Sequence, residues 1–223
     1  MSPRGGSAKG RLVVGPSASQ RQRRGAGPMT TKGVERRTEI LTVARQVFEE
    51  RGYADTRVAD IVAKAEVAQG TFYTYFDSKE AVFTEIARSV TGEMLEILVA
   101  ERASGSPRDR VRFGLHRFIE AFRPNAVFMG LLEQVGTYTP EMADMRLSLR
   151  EAFVERSASG IRHMQREGVA DTSVDPVLTA EVLGAMVDQT CYIWLSLGKE
   201  FADGEVLEVL TSVWARAIGL TEG

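Results

Sequence analysis

Hydrophobic positions recur at helical spacing along most of the chain, and few stretches show the alternation of a β-strand. The first periodic segment runs from Thr38 to Arg51, begins with a residue type that caps helices and stops at a glycine. A short apolar pattern, a break near Glu66 and the segment 68–76 come next. Two short helices joined so tightly are typical of a helix-turn-helix.

Longer helical patterns fill the remainder of the chain. Three of them have a proline in the first turn, where its missing N–H would be unpaired in any case. The pattern predicts an all-α protein whose later helices cover residues 79–102, 108–122, 124–135, 140–167, 176–197 and 204–218.

The segment AQGTFYTYF, residues 68–76, has two different faces when it is projected on a helix. The inner face groups Ala68, Phe72, Tyr75 and Phe76, of which we predict Ala68, Phe72 and Phe76 to be core. The outer face presents Gln69, Gly70, Thr71, Tyr73 and Thr74, with no acid before Asp77. Gln pairs with adenine, Thr contacts bases or phosphates, and Gly lets backbone approach a phosphate. This face suits a DNA major groove; ordinary solvated side chains are the alternative.

Residues 36–82 contain a set of residues that recurs in a known family, in order and without a gap: Ala44, Phe48, Gly52, Tyr53, Thr56, Asp60, Ile61, Ala65, Val67, Gly70, Thr71, Tyr73, Tyr75, Phe76, Ser78, Lys79 and Glu80. In these residues the segment resembles the N-terminal DNA-binding domain of the TetR family of transcriptional regulators. The resemblance implies a three-helix helix-turn-helix domain followed by a C-terminal helical bundle for dimerisation and ligand binding.

The resemblance also implies which residues contact DNA. Its base-reading positions fall on Gln69, Gly70 and Thr71, and its phosphate contacts fall on Thr56, Tyr73, Thr74 and Lys79. To these we add three cations near the expected groove edge on chemical grounds: Arg36, Arg37 and Arg57.

Two positions depart from the family pattern. Glu66 stands where the family usually has glycine in the turn, so the turn must tolerate a side chain. Ala68 replaces a frequent capping serine, which forfeits about 1 kcal/mol of helix stability.

Charge is distributed unevenly along the chain. The 28 basic and 30 acidic residues nearly balance, but residues 1–34 hold seven basic residues and no acid. This segment is rich in Gly, Ser, Pro and Arg, so we predict a disordered basic tail. It is either a flexible arm that attracts phosphates or a stretch preceding a true start at Met29. We expect a DNA-binding domain over 35–82 and a ligand-binding and dimerisation domain over 83–223.

The last two predicted helices are unusually apolar, and a homodimer interface would cover their excess hydrophobic surface; the alternative is that they are core helices. Methionines recur on the inner faces of the C-terminal helices with polar or aromatic neighbours. We predict a pocket for a small apolar or aromatic effector. Its candidate residues are Met129, Gln134, Tyr138, Met142, Arg146, Met186, Gln189 and Trp194. A methionine-rich core is the alternative.

Other classes of function find little support. His116 and His163 lack a neighbouring nucleophile or metal-ligand pattern, and Cys191 lies among apolar residues. We therefore expect no enzyme activity and no cofactor or metal. The longest apolar stretches fall short of the roughly 20 residues of a membrane helix, and a single cysteine suits a reducing cytoplasm.

The sequence thus predicts a cytoplasmic, homodimeric, ligand-responsive transcriptional regulator. It would act as a repressor on a near-palindromic double-stranded DNA operator and be released by the effector. A helical protein-interaction module without sequence-specific DNA binding is the alternative.

Overall fold

The computed structural model describes residues 30–99, 104–137 and 140–220. Most of the predicted basic tail and the candidate Tyr138 lie outside these residues. In the described residues the secondary structure is helical, without a strand, which confirms the all-α fold. None of the described helices combines the length and apolarity of a membrane span.

Nine α-helices follow one another in the described residues. They are α1 (Thr31–Arg51), α2 (Val58–Lys64), α3 (Gln69–Tyr75), α4 (Lys79–Val99), α5 (Pro107–Phe122), α6 (Ala126–Gly136), α7 (Pro140–Arg166), α8 (Pro176–Cys191) and α9 (Asp203–Ala217). A 3-10 turn, Arg123–Asn125, joins α5 to α6, and a π-helical turn, Tyr192–Ser196, extends α8.

The first helix begins seven residues before the predicted Thr38. The Thr30 hydroxyl accepts a hydrogen bond from the N–H of Gly33 at 3.2 Å, so Thr30 acts as the cap and Thr38 lies inside the helix. The chain divides into two units, and the division falls within α1, after Thr38.

Several local signals set other helix ends near their predicted positions, although α6, predicted from Pro124, begins at Ala126 after the 3-10 turn that contains this proline. Ser106 and Asp109 form a reciprocal capping box ahead of Pro107, and the Asp175 carboxylate caps α8 through the N–H of Leu178 at 2.7 Å. The end of α8 differs from the prediction, because the helix changes to π geometry at Tyr192 instead of continuing to Leu197. Leu197 then donates its N–H to the carbonyl of Tyr192 at 3.0 Å.

A continuous hydrophobic core runs through residues 39–220. In its N-terminal part the rings of Phe48 and Phe83 pack edge to face with centroids 5.2 Å apart. The ring centroid of Tyr53 lies 4.8 Å from that of Phe83. Phe83 also stacks on Phe128 of α6 at 4.9 Å. These rings join the helix-turn-helix to the C-terminal helices.

Candidate functional site

The turn between α2 and α3 is a Schellman motif. The N–H of Val67 bonds to the carbonyl of Val62 at 3.1 Å, and the N–H of Glu66 bonds to that of Ala63 at 3.4 Å. Glu66 occupies the left-handed position of this motif with φ of 52°. A side-chain-bearing residue therefore stands at a position of the turn that favours glycine.

Helix α3 is anchored by its inner aromatic residues. Phe72 is fully buried, Phe76 is nearly so, and their ring centroids lie 5.7 Å apart. The predicted core position of Ala68 is wrong, because Ala68 is the exposed N-cap of α3 and has no side-chain bond to offer the helix. The helical projection misplaced it because the residue lies just outside the helix.

The opposite face of α3 is open to solvent. Gln69, Gly70, Tyr73 and Thr74 are exposed, Tyr73 with 49% of its surface, and Thr71 is half-buried. A Cβ atom at Gly70 would meet nothing within 4 Å. The five outward residues predicted from the sequence thus share one accessible, acid-free surface, and their contacts with bases and phosphates stay predictions.

Lys79 does not present its ammonium group to this surface. Its Nζ donates to the carbonyls of Tyr53 at 2.8 Å, Ala54 at 3.3 Å and Thr56 at 2.8 Å, which uses the three donors of an ammonium group. The same Nζ lies 4.5 Å from the centre of the Tyr53 ring. Lys79 thereby fixes the loop between α1 and α2, and its direct contact with a phosphate stays a prediction.

Thr56 is likewise a structural residue in this conformation. Only 1% of its surface is exposed, and its hydroxyl donates to the carbonyl of Gly52 at 2.7 Å. That hydroxyl is turned away from solvent in this conformation, and the contact of Thr56 with a phosphate stays a prediction. Thr74 is exposed, but its hydroxyl donates to the carbonyl of Gly70 at 3.0 Å and must turn away to donate to DNA.

Most cations of the helix-turn-helix are already paired. Arg51 contacts Asp60 at 2.8 Å, and Lys64 contacts Glu50. The exposed guanidinium of Arg57 forms no ion pair with any described residue, which leaves it available to a phosphate. Arg36 and Arg37 are half-buried on α1, and their contact with DNA stays a prediction.

A cavity of about 290 Å³ lies among the C-terminal helices. Its apolar lining is formed by Met94, Phe118, Phe122, Met129, Ala143, Leu147, Leu149, Phe153 and Gly184. Its polar lining is formed by Glu133, Arg146, Arg150, Asp188, Gln189 and Tyr192. Because α4, α5, α6, α7 and α8 all contribute, a bound molecule would contact most of the C-terminal helices.

The candidate pocket residues only partly coincide with this cavity. Met129, Arg146 and Gln189 line it. Four others do not: Met142 and Trp194 are buried in the core, Met186 is half-buried elsewhere, and Gln134 is exposed. Helical periodicity separates inner from outer faces but does not show which inner residues border an empty space.

Sequence reasoning missed the cavity residues Phe118, Phe122, Glu133, Arg150 and Asp188. Asp188 had a detectable signal, since it lies four residues after Gly184 and four before Tyr192 within a largely apolar helix. An acid at such a position belongs to the inner face by helical spacing. The other four look like ordinary core or surface residues in the sequence.

Arg45 connects the helix-turn-helix to the cavity-bearing helices. Its Nη2 donates to the carbonyl of Pro124 at 3.2 Å and to Oδ1 of Asn125 at 3.0 Å, both in the turn between α5 and α6. Buried Asn125 in turn donates to the carbonyl of Ala121 at 3.0 Å. This turn directly follows the cavity residue Phe122, so a chain of contacts links the cavity wall to α1.

Cys191 is buried, and burial raises the pKa of its thiol to about 12. The thiol is therefore a neutral core group at physiological pH. His116 is exposed, and exposed His163 lies 3.4 Å from the Glu167 carboxylate.

Comparisons with known proteins agree with this architecture. Residues 40–86 match the family of bacterial regulatory proteins, tetR family. The chain is 26% identical over 203 residues to the HTH-type transcriptional regulator EthR of Mycobacterium tuberculosis, covering 89% of this chain and 92% of that protein.

Two solved structures share the fold. The TetR family transcriptional regulator PfmR from Thermus thermophilus aligns with a TM-score of 0.65 and 21% identity, covering 82% of this chain and 99% of that one. A transcriptional regulator from Saccharomonospora viridis in complex with choline aligns with a TM-score of 0.69 and 22% identity, covering 85% and 100%.

The exposed face of α3 on a helix-turn-helix and the helical C-terminal region define a DNA-binding transcriptional regulator. Residues 40–86 match the DNA-binding domain of the TetR family of these regulators, and the chain is similar over most of its length to an HTH-type transcriptional regulator.

Proposed function

We propose that the protein is a homodimeric repressor that leaves a near-palindromic operator when a small, largely apolar or aromatic effector binds its C-terminal cavity. The observation that carries the proposal is the outer face of α3, where a glutamine, a glycine, two threonines and a tyrosine face outward without an acid. Glutamine and threonine read base edges, and tyrosine and threonine hydroxyls bond to phosphates.

Exposed apolar side chains on the last two helices support the dimer. Leu178 and Val182 of α8 are 64% and 60% exposed, and Val209 and Val213 of α9 are 61% and 42% exposed. Each pair is spaced by four residues and so lies on one helix face. A second copy would cover these faces, and its two α3 helices would enter successive major grooves about 34 Å apart.

The effector response is a two-state equilibrium in this proposal. Helix α4 begins in the helix-turn-helix with Lys79 and lines the cavity with Met94. An effector that prefers the state with wrongly spaced DNA-binding domains lowers operator affinity by its differential affinity for the two states.

Selection of bound sequences from a random duplex library with the purified protein tests the DNA-binding part. We expect enrichment of an inverted repeat. A folded protein that enriches no sequence at low salt would contradict the proposal.

Two variants then separate base reading from phosphate binding on the selected operator. Gln69→Ala should lose about 1–3 kcal/mol of discrimination at one base pair per half-site and keep the salt dependence. Arg57→Ala should weaken every sequence and reduce the slope of log affinity against log salt by about 0.9 per half-site. Parent-like behaviour of both variants would show that this surface does not bind DNA.

The dimer is tested by a charge on the exposed face of α8. Val182→Glu should shift the mass measured by light scattering towards the monomer, because two carboxylates would face an apolar surface. Val127→Glu is the matched control, since Val127 is 51% exposed on α6, which is not one of the two proposed interface helices. Equal effects of the two variants would contradict an interface on α8 and α9.

A further inference from the structure

The walls of the cavity are largely aromatic. The ring of Phe118 lies 6.0 Å from that of Phe122 and 5.0 Å from that of Phe153. Gly184 makes room for this series of rings, because a Cβ atom there would lie 3.1 Å from Cε1 of Phe153. Rings of this kind bind apolar and aromatic groups, and their faces also attract cations.

Both cationic groups of the lining already have an acidic partner. The guanidinium of Arg146 pairs with the carboxylate of Glu133. Arg150 donates from Nε to Oε1 of Glu181 at 2.6 Å and from Nη2 to the carbonyl of Glu181 at 2.7 Å. Neither arginine therefore presents an uncompensated positive charge to a ligand.

Asp188, unlike the two arginines, has no partner for its charged group among the described residues. Its side chain lines the cavity but forms no hydrogen bond or ion pair of its own within the part of the chain that the structure describes. Burial raises the pKa of Asp188, Glu133 adds to this rise, and the charges of Arg146 and Arg150 oppose it. A carboxylate that is partly removed from water and lacks a donor gains from any ligand that supplies one.

We propose that the cavity selects small organic cations, in which an apolar or aromatic body packs against the phenylalanine and methionine walls and an ammonium group pairs with Asp188. This inference rests on the proposed function and names the chemical class of its effector. The volume of about 290 Å³ lies near the lower end for ligand pockets, which start at roughly 300 Å³, so the ligand is small.

An anionic ligand suits the same cavity poorly. Its carboxylate would compete with Glu133 or Glu181 for an arginine and would still face Asp188. A cation leaves both arginine pairs intact, and its charge is opposite to the one uncompensated charge that we identify in the described lining.

Isothermal titration of the full chain with three probes of similar shape tests the assignment: 3-phenylpropylammonium, 3-phenylpropan-1-ol and 3-phenylpropanoate. We expect the ammonium compound to bind about tenfold or more tightly than the alcohol, since charge-assisted hydrogen bonds are the stronger ones. The carboxylate should bind most weakly.

Asp188→Asn keeps the shape of the side chain and should abolish most of the preference for ammonium over alcohol, with little change for the alcohol. Asp144→Asn is the matched control, because Asp144 is an exposed acid on α7 outside the lining. Gly184→Ala should weaken all three probes, which locates them in this cavity, and thermal unfolding confirms that each variant is folded.

Three results would overturn the assignment: tighter binding of the carboxylate than of the ammonium compound, parent-like ammonium binding by Asp188→Asn, or no binding by any probe. Operator selection is measured separately on the parent protein. If an inverted repeat is still enriched, only the ligand class fails, whereas failure of that selection rejects the proposed regulator itself.

Discussion

At the scale of single residues, Lys79 holds a loop of the helix-turn-helix in place. Its ammonium group bridges three carbonyls of the loop that links α1 to α2. That loop precedes Arg57, the cation that we expect to contact a phosphate. We infer that Lys79 is a positioning residue for the DNA-binding surface.

Replacing Lys79 by methionine should lower the free energy of unfolding by about 1–3 kcal/mol, because three carbonyls lose a charged donor. Operator affinity should fall as the loop loosens, but the salt slope should stay that of the parent because no phosphate contact is lost. Denaturant unfolding and binding at several salt concentrations measure both effects. If Lys79→Met reduces the salt slope as much as Arg57→Ala does, Lys79 contacts a phosphate directly.

At the scale of structural elements, the turn between α2 and α3 contains a strained residue whose backbone strain a substitution can relieve. Glu66 is the one described residue other than glycine with positive φ, and left-handed geometry costs such a residue about 1–2 kcal/mol. Glycine would remove that cost. It would also lower the free energy of unfolding by about 0.4–1 kcal/mol, because glycine gives the unfolded chain more conformational freedom.

We therefore expect Glu66→Gly to raise the free energy of unfolding by about 0.5–1 kcal/mol. Glu66→Ala is the control, since it removes the carboxylate but keeps the Cβ atom in the left-handed region. Urea denaturation compares the two variants. Equal stabilisation by alanine would assign the effect to the charge of Glu66 instead of to its backbone.

At the scale of the whole molecule, the contact of Arg45 with the turn at Pro124 and Asn125 is a physical route between the cavity and the DNA-binding helices. The cation of Arg45 also lies 5.7 Å from the ring of Phe128, and Phe128 stacks on Phe83 of α4. Two regions that the chain order separates by about 80 residues thus share one set of contacts.

Ligand changes the operator affinity of the parent protein by some factor, and Arg45→Ala should make that factor about fivefold smaller or more. A factor of about five is the lower end of the usual coupling between two sites. Operator affinity is measured with and without whichever phenylpropyl compound binds most tightly. Arg88→Ala is the control, because its ion pair with Glu141 joins two exposed residues within the C-terminal helices. Coupling that survives Arg45→Ala unchanged would show that this contact does not transmit the response.

The sequence by itself determined the helices and the two faces of α3. Periodicity, capping residues and glycine or proline breaks act within a few residues of one another, so they can be detected in the chain order. This is why Phe72 and Phe76 were correctly predicted as core and Gln69, Gly70 and Tyr73 as outward-facing. Ala68 was misplaced because the projection carried the helix one residue too far.

Only the tertiary structure decided which residues are available for function. Lys79 is committed to carbonyls 23 to 26 residues away, and Asn125 to a guanidinium 80 residues away. Whether Met142 fills the core or borders a cavity, and whether Asp188 has a partner, depends on side chains from several helices at once. Local sequence patterns cannot contain that information, because burial and charge pairing arise only when distant segments pack together.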